Sequence, residues 1–365
     1  MLLLLPYDLF DAILAFCDFR EFKNLTLVSR HIQAAADQHF WRLATINASP
    51  QTEGYMNLLC GRASQVRKLT IKERCTEDKH EETSKALLGL IEGMRQHLHI
   101  TDLNLNLVSH SQECYFDDVL ESLGSVEQPS LLRSLAVRLG VSDRSGKIWG
   151  SILQAHPNLT SLEIPLVRIA EPTPLSALPL PALRRLSVRS PNELYIFQHI
   201  PVAHLSIFYC DPGHFRSLKL LLAIEGLADT LIELSMAFKL LHSPVHLVYC
   251  ASINLPHLEI LKLEAINGGY LNQEEADELL STFTSAVESN SLVHLRELHL
   301  RGFHMTTDHL GFVRRCFDIW PDSLQRVWIE NGTQGVARLQ AIIDRAEAEK
   351  LGFVAQRAPL HTGVQ

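Results

Sequence analysis

Residues 295–300 read Leu-Arg-Glu-Leu-His-Leu and residues 258–263 read Leu-Glu-Ile-Leu-Lys-Leu. This phrase, apolar-x-x-apolar-x-apolar, decides the fold. Ten copies run from Val66 to Ile329: Val66/Leu69/Ile71, Ile100/Leu103/Leu105, Leu132/Leu135/Val137, Leu159/Leu162/Ile164, Leu183/Leu186/Val188, Val202/Leu205/Ile207, Leu231/Leu234/Met236, Leu258/Leu261/Leu263, Leu295/Leu298/Leu300 and Leu324/Val327/Ile329. Each copy ends in a period-two alternation, which puts its last two apolar residues on one face of a short strand and the residue between them on the other.

A single strand cannot bury that face, whereas stacked copies close a continuous core, the logic of solenoids and of leucine-rich repeats. The spacing is irregular. The step is 24 residues from Leu162 to Leu186, 27 from Leu234 to Leu261 and 37 from Leu261 to Leu298. The longest step contains Asn272 to Ser289, where Ala276, Leu279, Leu280, Phe283 and Val287 fall at helical spacing. Pro172, Pro174, Pro179 and Pro181 exclude helix before Leu183. The expected fold class is therefore α/β: a solenoid over residues 55–352 with an inner parallel sheet and a mixed helical and extended convex side. Residues 353–365 read as a C-terminal tail.

The chain has 365 residues, 46% of them apolar, and a formal charge of -8 with 33 scattered basic residues. Phosphate binding needs a concentrated positive field, so a nucleic-acid partner is not expected. Seven cysteines lie far apart with no C-x-x-C pair, and reduced thiols fit the cytoplasm or nucleus. The apolar opening Met1 to Leu5 has no basic residue ahead of it and is cut by Pro6 and Asp8, unlike a signal peptide. No run approaches the ~18 apolar residues of a membrane span, so a soluble protein is expected.

Residues 1–47 have a helical grammar instead. Leu5, Leu9, Ile13 and Phe16 line one stripe of a helix that starts just after Pro6. Asp18 with Glu21 forms a capping-box pattern for a second helix, and Ser29 caps a third that runs to about Phe40. So small a bundle gains from packing its apolar outer face on something else.

The leading Leu5-Pro6, the spaced Leu9 and Ile13-Leu14, the Leu-x-Leu-Val-Ser-Arg of residues 25–30 and the closing Trp41 together resemble an F-box. An F-box ahead of leucine-rich repeats is the arrangement of the F-box/leucine-rich-repeat family. The resemblance implies docking on a Skp-family adaptor and, through it, on a cullin-RING ubiquitin ligase. It carries the adaptor contacts, or the support of the contacting helices, onto Leu5, Pro6, Leu9, Ile13, Leu14 and Val28. Trp41 would pack the bundle. The alternative is that all of these residues are internal core, capping the first repeat of a non-catalytic scaffold or inhibitor. Residues 47–54, polar and interrupted by Pro50, read as the joint.

Catalytic and metal chemistry finds no foothold. The eighteen histidines show no ligand spacing, and His-Glu-x-x-His is absent. His80-Glu81-Glu82 falls in a charged stretch, Lys72 to Lys85, read as a solvated loop. Residues 140–148 depart from a phosphate loop, with five residues between the glycines and Ile148 after Lys147. There is no Gly-x-Ser-x-Gly. The expectation is a non-enzyme with no cofactor and no metal.

The residues between the apolar positions would face away from the core and offer a docking surface for a protein substrate. In the early and middle repeats these are Lys68, Thr70, Asp102, Asn104, Arg138, Glu163, Arg185, Ser187, Arg189 and Phe208; toward the end they are Glu233, Lys262, Glu264, Glu297, His299, Arg301, Arg326, Trp328 and Glu330. Trp and Arg supply contact area and directed hydrogen bonds, so the expected substrate-binding set is Arg185, Arg189, Lys262, His299, Arg301, Arg326 and Trp328. Arg185 and Arg189 share a face and could read a phosphate, with salt bridges to Glu163 the plainer expectation. The competing reading of Trp328 is that a capping helix bearing Val336, Leu339, Ile342 and Ile343 covers it.

Overall fold

The computed structural model describes residues 42–48, 65–73, 80–95, 99–106, 117–125, 131–138, 145–164, 180–189, 194, 197, 200–210, 226–238, 254–305, 309–320, 322–333 and 336–344. The F-box-like helices and their candidate contacts Leu5, Pro6, Leu9, Ile13, Leu14 and Val28 lie outside the described residues, as do Trp41 and the prolines 172, 174 and 179.

The chain divides into two compact units, Met1–Glu171 with Ala177–Leu183, and Pro172–Ser176 with Arg184–Gln365. In the first unit, β1 (Leu43–Ala48), β2 (Lys68–Glu73), β3 (Asp102–Asn106), β4 (Ser134–Arg138) and β5 (Ser161–Glu163) pair in chain order, all parallel. Helices α1 (His80–Arg95), α2 (Asp117–Gly124) and α3 (Ser145–Ala155) fill the crossovers. In the second unit, β6 (Arg185–Val188), β7 (His204–Cys210), β8 (Glu233–Phe238), β9 (Ile260–Leu271), β10 (Glu297–Met305) and β11 (Arg326–Thr333) are likewise parallel in chain order. Helix α4 (Gln273–Glu288) connects β9 to β10, and α5 (His309–Ile319) connects β10 to β11. Parallel neighbours in strict sequence order are what stacked repeats produce, because each crossover returns the chain beside the strand it just left. The chain is an α/β protein.

All thirty apolar residues of the ten phrases are buried, none more than 4% exposed. Each such side chain contributes about 1.5–3 kcal/mol relative to its exposed state. The register follows from the phrase itself: Leu69 pairs with Leu103, Leu103 with Leu135 and Leu135 with Leu162 in the first unit, and within the second unit Leu186, Leu205, Leu234, Leu261, Leu298 and Val327 form a row of their own. A repeated backbone clasp fixes it. The carbonyl of the residue after the first apolar position accepts N–H bonds from two consecutive residues of the next copy. Arg67 O accepts from Thr101 and Asp102, and Arg296 O from Gln325 and Arg326, at 2.7–3.1 Å. One carbonyl therefore uses both lone pairs to start each new strand.

The helices are positioned by their own signals. Asn272 caps α4: its side chain accepts from the Glu275 N–H at 2.9 Å, while the Glu275 carboxylate accepts from the Asn272 N–H at 2.9 Å. Ala276, Leu279, Leu280 and Phe283 are buried as their spacing predicts, but Ala286 replaces Val287 at the last contact. Between α2 and α3, a Cβ on Gly124 would stand 2.9 Å from the Ser151 Cβ, so glycine permits the close approach. Buried His156 reaches from the end of α3 to donate from Nε2 to the Leu123 carbonyl at 3.0 Å.

Three expectations are corrected. Strand β1 lies at Leu43–Ala48 and pairs with β2, placing Leu43 through Asn47 in the sheet rather than in a module ending at residue 47. Helix α1 begins at His80, so the stretch Lys72 to Lys85 is helical in its last part. The segment bearing Val336, Leu339, Ile342 and Ile343 is not a capping helix but β12 (Val336–Asp344), antiparallel to β11. An apolar pattern at helical spacing lost to the row of backbone donors and acceptors that β11 presents, a template suited to the β-branched Val336, Ile342 and Ile343.

Candidate protein-docking face

The alternation that buries the phrases leaves polar residues in register on the opposite face of the strands. In the second unit one row reads Arg185, His204, Glu233, Ile260, Glu297, Arg326 from β6 to β11, and the next reads Ser187, Ser206, Ser235, Lys262, His299, Trp328. A third, Ala237, Glu264, Arg301, Glu330, crosses β8 to β11. Lys262, His299, Arg301, Arg326 and Trp328 are thereby brought together on three adjacent strands. Arg185 and Arg189 stand apart at β6, both exposed.

Ion pairs knit the cluster. Glu233 accepts from His204 Nδ1 at 2.9 Å and from Lys262 Nζ. Glu297 accepts from His299 Nε2 at 3.0 Å and faces Arg326 at 3.6 Å. Arg301 sits between Glu330 at 3.1 Å and Glu264 at 3.7 Å. Partial burial pushes the Glu233 carboxyl upward, but the bonds from Lys262 and His204 outweigh it and hold it below the usual carboxylate range. Burial pushes His299 down, only partly opposed by Glu297, so its imidazole is biased toward neutrality.

Trp328 is half-buried. The His299 ring stacks on it with centroids 5.2 Å apart and planes 9° from parallel, and the Arg326 guanidinium lies 5.6 Å from its centroid. Its indole Nε1 is buried with no hydrogen-bond partner among the described residues. On the backbone, Ile342 of β12 pairs with Trp328. The result is a rigid aromatic plate framed by paired charges, a surface rather than a cleft.

The first unit repeats the pattern more sparsely. Arg138 donates through Nε and Nη2 to the two oxygens of Glu163 at 2.6 and 3.2 Å, and those bonds raise its pKa. Lys68 lies 3.9 Å from Asp102, and the amide oxygen of Asn104 is buried without a partner among the described residues.

Sequence reasoning missed His204, Ser206 and Ser235, because it took flanking residues unevenly from copy to copy; applying the registers of Glu233 and Lys262 to every copy finds them.

Open clefts occur on the helical side, one near Leu88, Glu92, Asp118 and Ser122, another near Leu280, Thr284, Arg315 and Ile319; no histidine or cysteine is among the described residues that line them. Cys316 is fully buried, which pushes its thiol pKa well up and away from nucleophilic use. Among the described residues no group of three His, Cys, Asp or Glu side chains is placed to hold a metal ion, and no helix is long and apolar enough to cross a membrane.

A scan against protein-family models finds no match, and a search of curated proteins returns no relative.

Proposed function

We propose that the chain is the substrate-recognition subunit of a Skp-cullin-F-box ubiquitin ligase in the cytoplasm or nucleus. In this reading the F-box-like segment ahead of β1 carries the adaptor contacts through Leu5, Pro6, Leu9, Ile13, Leu14 and Val28. The repeats form a leucine-rich solenoid whose polar face receives a protein substrate. The observation that supports it most is the in-register polar ladder across β6–β11, set on the eighteen buried residues of the six phrases there. A flat row of side chains, rigidly spaced and centred on Trp328, matches macromolecular contact better than enclosure of a small molecule. The F-box resemblance then gives such a surface a task. Holding a substrate beside the ligase raises its effective concentration and asks no chemistry of the chain itself, so no catalytic residue and no cofactor are assigned.

The strand β1 favours one alternative enough to test. It carries the sheet back to Leu43, close in sequence to the F-box-like segment, which in this second reading only caps the repeats of a scaffold or inhibitor. Binding of a purified Skp-type adaptor separates the two. The expected result is tight binding by the full chain, lost on joint Leu5→Ala, Pro6→Ala and Leu9→Ala with the circular-dichroism spectrum unchanged. Absence of adaptor binding by the unaltered chain gives first place to the scaffold.

A further inference from the structure

Charge pairing on the second unit's polar face is uneven. From β8 to β11, Glu233, Glu264, Glu297 and Glu330 each hold a basic side chain, and Lys262, Arg301 and Arg326 are consumed in those pairs. The β6–β8 end is built differently. Ser187, Ser206 and Ser235 lie in register on three successive strands, half-exposed, and their hydroxyls have no partner among the described residues. Strand spacing puts them in a line at intervals of about 4.8 Å. Arg185 projects at one end, exposed and without an ion pair among the described residues. Phe208, two residues beyond Ser206, leaves 41% of its surface in solvent, an apolar side chain with a polar surround.

The low serine floor defines a lane, and the groups beside it define what fits. Glu233, at the lane's border, is already neutralised by Lys262 and His204. Arg185 therefore leaves the lane positive within a chain whose formal charge is -8. Opposite potentials attract and like charges directly apposed cost several kcal/mol, so an acidic partner is selected. Small side chains let an extended backbone approach, and free hydroxyls both donate to and accept from its peptide groups.

We propose that the β6–β8 end of this face docks an extended acidic segment of a partner protein, with a carboxylate on Arg185 and an apolar side chain against Phe208. This deepens the docking-face reading and rests on it, but not on the ligase assignment. A nucleic acid would need a denser row of cations than the lane offers.

The test uses the full chain and a fluorescein-labelled peptide of alternating glutamate and leucine, read by anisotropy at low salt. Saturable binding is expected, weakened at least about tenfold by Arg185→Glu or by Phe208→Ser and left unchanged by Arg314→Gln, an exposed residue of helix α5 outside the face. A tenfold loss corresponds to about 1.4 kcal/mol, within the reach of one desolvated charge pair. Both altered residues are exposed, so unchanged thermal melting is expected of each variant. Absence of saturable binding, equal binding of a lysine-leucine peptide, tighter binding of a single-stranded oligonucleotide, or indifference to Arg185→Glu would each overturn the proposal. Adaptor binding measured on the same preparations separates the failures: its absence with peptide binding intact strikes the ligase reading alone.

Discussion

His299 lies flat on Trp328, ring planes 9° apart, with Glu297 bonded to the imidazole Nε2 at 3.0 Å. Two neighbouring copies of the phrase meet at that stack, because register pairs His299 of β10 with Trp328 of β11. Burial lowers the His299 pKa, and Lys262 adds to the push, while Glu297 and Glu233 oppose it. Its midpoint, read by NMR, is therefore expected below the ordinary value of 6.5. An imidazolium quenches a stacked indole, so Trp328 fluorescence should fall on acidification through that midpoint, and His299→Gln should remove the step. A midpoint at or above the ordinary value would contradict the burial that the stack imposes.

The same shift sets the sign of a stability change. A histidine depressed in the fold contributes stability that is fully present above its unfolded pKa and is lost as pH falls through the folded one. His156 acts in the same direction: burial lowers it, partly offset by its bond to the Leu123 carbonyl. Denaturant midpoints should fall between about pH 7 and pH 5, and less steeply in His299→Gln.

Glu233 accepts from two basic side chains, yet those partners are more than a third exposed, with side chains 37% and 38% accessible for His204 and Lys262. Such pairs are worth below about 1 kcal/mol each in solvent. Its lowered carboxyl pKa contributes stability above the unfolded value and loses it as pH falls through the folded value. Glu233→Gln is therefore expected to destabilise by about 1 kcal/mol at neutral pH, and to match the unaltered chain once the carboxylate is protonated. Chemical denaturation at two pH values checks both limbs.

Most of this architecture was legible because one physical constraint wrote it ten times. Leu298 and its equivalents must face the core, so period two within each copy fixes the buried face and repetition fixes the register. The strand β1 was not legible, since Ala44 occupies the position that leucine holds elsewhere, paired with Leu69 and 2% exposed. Nor was β12, where an apolar pattern compatible with a helix was recruited by a neighbouring strand's unpaired backbone. The docking cluster could be assembled on paper from Lys262, Arg301 and Trp328. Its internal neutralisation could not, because whether Arg326 meets Glu297 or solvent depends on side-chain reach rather than on spacing.

Trp320 offers a test of how strained backbone is held. Leu292 is buried at a positive φ of 54°, a conformation unusual for any residue but glycine, and its carbonyl accepts from the Trp320 Nε1 at 2.9 Å. The same indole packs on Phe283 of α4 with centroids 5.1 Å apart. Trp320→Ala removes both packing and the bond and should cost about 3–5 kcal/mol. Trp320→Phe keeps most of the packing but leaves the carbonyl only the Leu295 N–H at 3.2 Å, for about 0.5–1.5 kcal/mol. If the two variants melted together, the hydrogen bond to the strained turn would be the dominant contribution and the packing minor.

Gly302 is the position where the fold tolerates no side chain. Its φ is +74°, and a Cβ there would run into the carbonyl oxygen of Ala265 on the neighbouring strand β9. The register between β9 and β10 slips at this point, between Arg301 and Phe303. The glycine thus lets β10 bend, while Arg301 stays beside Glu264 on one face and Phe303 returns to the core at 1% exposure. Gly302→Ala must either shift β9 or abandon the left-handed turn, and is expected to cost about 3 kcal/mol. The loss should be local. Amide exchange in β9 and β10 should rise in this variant while β2 to β4 keep their protection, and uniform loss across both units would instead mean that the bend supports the whole chain rather than this pair of strands.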